Sequence, residues 1–173
     1  MSILKAEVLT VVNERLGRAE TSIDTELLSA LYDISTRGNF ILVTSDQTLT
    51  VGDEDYNFPT GMKQLLNCYI TVGKDGKRTE PLTKMPWAGY LTYRADEGTS
   101  DRDEPEYYAI HNEIIYPYPV PDATYTLRMY YAIYHPNTVA TISFGEPFRE
   151  SVYQMTMVKV CEKFQLWDDA KAF

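Results

Sequence analysis

The sequence predicts an α+β fold: a small helical bundle, two N-terminal helices plus a C-terminal helix, with an inserted antiparallel β-sheet domain. Three observations predict it. Apolar residues recur at helical spacing near both ends of the chain. After Gly38 the period drops to two and β-branched and aromatic residues take over. Helical spacing returns only beyond Pro147. The division that follows places residues 1–40 and 145–173 in the bundle and residues 41–144 in the insertion.

Taken in order, Ile3, Leu4, Val8, Val11, Val12 and Leu16 form one stripe of a first helix, and Gly17 ends it. A second helix runs from Asp24, which suits a capping position, through Leu27, Leu28, Leu31, Tyr32 and Ile34 to Arg37 and Gly38. "FILVTSDQTLTV", the turn "GDED" and "YNFP" predict a strand, a tight turn and a return. "LLNCYITV" predicts a further strand closed by "GKDG", and one or two helical turns are expected after Pro86. Residues 96–105 predict a hydrophilic loop.

The segment from residue 107 to residue 135 holds eight of the fourteen tyrosines and both histidines. It predicts a strand over 107–116, a turn in "PYPVPD" too proline-rich for a ladder, and a partner strand over 124–135. On the second strand Tyr125, Leu127, Met129, Tyr131 and Ile133 point one way. Thr126, Arg128, Tyr130, Ala132 and Tyr134 point the other, giving an aromatic but polar-tipped face that suits an assembly. A last helix carries Phe148, Val152, Met155 or Tyr153, Met157, Val160, Cys161, Phe164 and Trp167 on one stripe.

Composition bounds the chemistry. With 173 residues and 44% apolar content, the chain buries one good core with an elaboration. A net charge of -9 without a basic stripe argues against wrapping of a phosphate backbone. The opening stretch is broken by Lys5, Glu7, Asn13, Glu14 and Arg15, so no signal peptide or membrane span is expected there, and synthesis into a cytoplasm is. Cys68 and Cys161 have no motif spacing and are expected to be buried free thiols.

No catalytic residue and no metal or cofactor site is predicted. His111 and His135 read as polar strand-edge residues, "GDEDYNF" as an acidic turn lacking the later ligands of a calcium loop, and "SDRDE" as a solvated charge run. A small hydrolase is the weakest reading, because no acid, base and nucleophile set is present. Two binding readings stand. One is a carbohydrate-binding module in which tyrosines and Trp87 stack on sugars, against which the helical ends argue. The other is a structural protein that assembles by its edges, favoured because one small core has trouble covering fourteen tyrosines and two tryptophans.

The order of five segments resembles a known family. They are "ILKAEVLTVVNERLG", "LLSALYDISTRGNF", "TLTVGDEDYNFP", "EYYAIHNEIIYPYPVPDATYTLRMYYAIY" and "FGEPFRESVYQMTMVKVCEKF". Together they are similar to the head-to-tail adaptors, or connectors, of tailed bacteriophages, including tubular tail adaptors. The resemblance implies a non-enzymatic virion protein forming a homo-oligomeric ring, usually of twelve copies, beneath the portal protein. Such a ring extends the channel through which genomic DNA passes without specific binding, and it presents a platform to the next tail or nozzle protein. It implies no cofactor and no membrane. Some members insert a long C-terminal tail into the portal. Here about six residues follow Trp167, so Trp167, Lys171 and Phe173 are the candidate portal contacts, and Tyr116, Tyr118, Tyr130 and Tyr134 the candidate subunit or tail contacts.

Overall fold

The N-terminal apolar stripe becomes helix α1, Lys5–Leu16, which buries Val8 and Val12. In the computed structural model, which describes residues 3–96 and 102–164, Gly17 closes α1 in the left-handed region at φ 61°. A side chain would strain that position. Helix α2, Asp24–Arg37, follows. Asp24 is its first helical residue and not its cap, which is Ile23. The Asp24 carboxylate instead meets the Lys5 ammonium at 2.7 Å, and that partner holds its pKa below the ordinary value.

The chain divides into two units, Met1–Ile41 with Ile133–Phe173, and Leu42–Ala132. In the first, helix α4, Arg149–Lys163, packs against α1 and α2 after a 3-10 turn at Glu146–Phe148. Its core joins Leu27, Leu31, Val152, Met157 and Val160 from the helices with Ile142 and Phe144 from the stretch before the 3-10 turn. Polar clamps finish the packing. Arg149 reaches Glu7, and the Tyr153 hydroxyl donates to the same carboxylate at 2.8 Å, fixing α1 to α4. Arg15 bridges to Glu150, and Lys163 to the nearly buried Glu26 at 3.0 Å.

The second unit is less local. Strand β1, Leu42–Leu49, does not fold back on β2, Tyr56–Asn57. It pairs antiparallel with β9, Tyr125–Ile133, from Leu42 opposite Ala132 to Leu49 opposite Tyr125. β2 instead pairs with β7, Ile114–Tyr118. The expected hairpin is therefore a passage between two sheets, because the inner edge of β1 is taken by β9. Strand β3, Met62–Ile70, completes a three-stranded sheet in the order β1-β9-β3.

Residues 107–116, expected as one strand, form a hairpin: β6, Tyr107–His111, turns through Asn112 and Glu113 into β7. Both turn residues have positive φ, 50° and 62°, as a two-residue hairpin turn with the twist of its strands requires. Pro117 lies within this ladder, opposite Tyr108. Counting from the turn, that pair is a non-hydrogen-bonded one, so the missing N–H of the proline costs the ladder nothing. The partner of 124–135 is thus not 107–116 but β1 and β3.

Short parallel pairs depart from the all-antiparallel expectation. β4, Thr83–Lys84, runs parallel to β6, and β5, Arg102–Asp103, runs parallel to β8, Val120–Pro121. The one or two turns expected after Pro86 are a ten-residue helix, α3, Trp87–Asp96. The acidic run before β6 is only partly solvated: Lys74 bridges Asp103 and Asp122, and its backbone N–H donates to Glu104 at 2.6 Å.

Candidate assembly surfaces

Along α3, Trp87, Tyr90 and Tyr93 recur every three residues and so share a face. On the β6–β7 hairpin, period two puts Tyr107, Ala109 and His111 on the same side as their partners Tyr118, Tyr116 and Ile114. The two faces meet in a ladder of rings. Trp87 lies parallel to His111 at 4.5 Å between centroids and to Tyr90 at 5.1 Å. Tyr116 tilts against both Trp87 and Tyr90, while Tyr118 meets Tyr90, Tyr93 and Tyr107. Each such pair contributes about 0.5–1.5 kcal/mol beyond its burial.

The inner members hold the unit together. Tyr90 is buried with Met85 and Ala109, and Tyr116 and Tyr118 pack against them. The outer members face solvent: Tyr93 is 54% exposed and Tyr107 38%. The sequence reading does not single out Tyr93 or Tyr107. The three-residue spacing of Trp87, Tyr90 and Tyr93 is the signal for Tyr93, and the alternation of β6 is the signal for Tyr107.

The opposite side of the hairpin is core. Tyr108 is 5% exposed, and burial pushes its phenol up to about 12. Cys68 is fully buried and free, its thiol likewise pushed up to about 12 by burial, so it is held as an unreactive thiol. Cys161 is also buried and free.

Tyr130 stands elsewhere, on the outward face of β9, 41% exposed and stacked on Tyr69 at 6.0 Å. The Arg78 guanidinium covers the other ring at 4.1 Å, and Arg128 binds Asp46 across the ladder through two bonds of 2.7 Å. Hydrogen bonding to Tyr130, with Arg128 and Arg78 nearby, lowers the Tyr69 pKa. Tyr134 belongs to the helical unit, where it stacks on the exposed Tyr32 at 5.3 Å. The four tyrosines expected at one edge are therefore in three places: Tyr116 and Tyr118 under α3, Tyr130 on the three-stranded sheet, and Tyr134 beside α2. Trp167, Lys171 and Phe173 lie outside the described residues.

Of the two histidines expected at strand edges, only His111 lies at one, as the exposed last residue of β6. His111 caps the Trp87 stack. His135 is buried at 4% exposure in the helical unit, where its Nδ1 binds the Pro136 carbonyl at 2.8 Å and its Nε2 accepts from the Ser143 N–H at 3.2 Å. The neutral tautomer with the proton on Nδ1 satisfies both ring nitrogens, and burial lowers its pKa. It is a loop staple. Among the described residues no group of three or more histidine, cysteine or acidic side chains is placed to hold a metal ion, and no helix is long and apolar enough to cross a membrane.

The fold is thus an α+β chain in which α1, α2 and α4 form one unit, while the interrupting strands share theirs with α3 and carry exposed rings. The SU10 adaptor protein family model matches residues 2–158, and the chain belongs to that family. It is a phage adaptor, a virion component that associates with other head and tail proteins. No curated protein matches the chain.

Proposed function

We propose that this adaptor acts at the head-to-tail junction as a homo-oligomeric ring of twelve copies beneath the portal, extending the DNA channel and offering the tail its attachment platform. The observation that carries the proposal is the family match, which spans both units rather than one. Exposed rings in both units, Tyr32 and Phe40 in one and Tyr93, Tyr107 and Tyr130 in the other, supply contact area of the kind that dominates interface energetics. The helical unit forms the ring body, and the strand unit reaches toward neighbours and the tail. The net charge of -9 suits a channel wall that lets DNA slide without holding it. Trp167, Lys171 and Phe173 contact the portal in this reading, no chemistry is performed, and the subunit waits in the host cytoplasm until the ring is built.

The test is light-scattering mass after size exclusion, with and without the portal protein of the same genome. A portal peak heavier by about twelve copies is expected for a closed cyclic ring. A chain that stays monomeric and leaves the portal peak unchanged sinks the proposal.

A further inference from the structure

In the helical unit a groove of about 340 Å³ runs between α2 and α4. Ile34, Phe40, Phe148, Met155 and Val158 line it, and Arg37 stands at its rim. Phe40 is 43% exposed. Ser151 and Gln154 add polar lining, and Arg37 has no acidic partner among the described residues, so a mostly apolar groove carries an unpaired cation. An occupant that suits it brings apolar surface and negative charge.

The strand unit presents that combination in the turn between β1 and β2. Val51 is 46% exposed, and Asp53 and Asp55 beside it have no cationic partner among the described residues, whereas Glu54 is taken by Arg94. The turn is held rigid. Gly52 adopts φ 80°, with the Arg102 guanidinium packed over it, and donates its N–H to the Pro121 carbonyl at 2.9 Å. The Asp53 N–H donates to Thr50 at 3.1 Å, and the Tyr56 hydroxyl accepts the Thr50 N–H at 2.8 Å. A preorganised turn loses little entropy on docking. Other exposed aliphatics fit the groove less well. Val72 is followed by Asp75 but also by Lys77, neither with an ion-pair partner among the described residues, so it offers no net negative charge, and Leu42 and Leu66 have no free acid next to them.

We propose that the α2–α4 groove of one copy receives Val51 of a neighbouring copy, with Arg37 set against Asp53 and Asp55. The contact joins two different surfaces, so it is head-to-tail, the kind of contact that builds a ring when its rotation closes. This inference rests on the ring reading and names the surfaces that would close it.

Two variants of the full chain test it, Arg37→Glu and the double substitution Asp53→Lys/Asp55→Lys. All three positions are exposed, so native folding is expected and is checked by circular dichroism. Assembled material in the presence of portal is expected to fall about tenfold or more for each variant alone, since like charges then face each other. An equal mixture is expected to recover assembly. The reversed groove of one variant meets the reversed turn of the other, and the two unaltered surfaces meet each other, so every contact around an even-numbered ring is again complementary. Wild-type yields from both variants, or failure of the mixture to recover what each has lost, overturns the inference while the ring stands. A wild-type chain that does not assemble with portal overturns the ring reading and this inference together.

Discussion

The helical unit and the strand unit bury their chains by different means. The helical core is aliphatic, built on Leu27, Leu31, Val152, Met157 and Val160, and ion pairs such as Arg149 with Glu7 stand at its margin. The strand unit under α3 is held by rings, Trp87, Tyr90, Tyr116 and Tyr118, whose outer neighbours Tyr93 and Tyr107 are left uncovered. An aliphatic core is finished once its stripe is buried. A ladder of tyrosines has no such end point, because each further ring has an apolar body and a polar tip that tolerates water. The same packing that stabilises the strand unit thus extends into a surface ready for a partner.

The largest expected effect falls on the ring ladder. Tyr90→Ala removes the ring that Trp87, Tyr116 and Tyr118 share and is expected to cost about 3–4 kcal/mol, read as a shift of the urea midpoint with loss of near-ultraviolet dichroism. Met157→Ala, fully buried in the aliphatic core, is expected to cost about 3 kcal/mol while leaving the near-ultraviolet signal in place. If Met157→Ala erased the aromatic signal as well, the units would not be energetically separate and the comparison would break.

His135 sharpens the contrast through pH. An unfolded imidazole titrates near the ordinary 6.5, whereas the buried one titrates lower. As pH falls below 6.5, the unfolded chain takes up a proton that the folded chain refuses, so stability drops until the folded pKa is passed and then levels off. His135→Gln is expected to remove that slope, measured as melting temperature against pH between 7.5 and about 5. A slope that persists in the variant would assign the effect to another group.

Smaller effects separate surface from core. Tyr130→Ala is expected to change stability by no more than about 1 kcal/mol, yet to reduce assembly yield. Tyr116→Ala is expected to do the reverse, because Tyr116 is wedged against Trp87 and Tyr90. Equal losses of stability in the two variants would deny any division of labour between the tyrosines. Smallest of all is the Arg128–Asp46 pair: exposed and screened, it should show little or no coupling in a double-mutant cycle.

Legibility followed the range of the interactions. α1 ends at Gly17, and α2 spans Asp24–Arg37, as the sequence predicts, because helical periodicity and glycine stops act within a few residues. The core face of β9 was equally plain: Tyr125, Leu127, Met129 and Tyr131 are all buried. Partnership was not. The segment 107–116 looks continuous because Asn112 and Glu113 lack the glycine that marks most tight hairpins, and "TLTVGDEDYNFP" looks like a hairpin although β1 and β2 join different sheets. Likewise nothing local separates Tyr134 from Tyr130, four residues away, yet one stacks beside α2 and the other on the sheet.

The sequence by itself determined the α+β class, the helical ends around an aromatic insertion, the buried thiols and the acidic charge, since each depends on spacing or composition within a short window. Tertiary structure alone decided which strands pair, which tyrosines are core and which are surface, and that His135 is a neutral staple. Those outcomes depend on residues brought together from up to about a hundred positions apart, and chain connectivity sets no preference among the many pairings open to short strands.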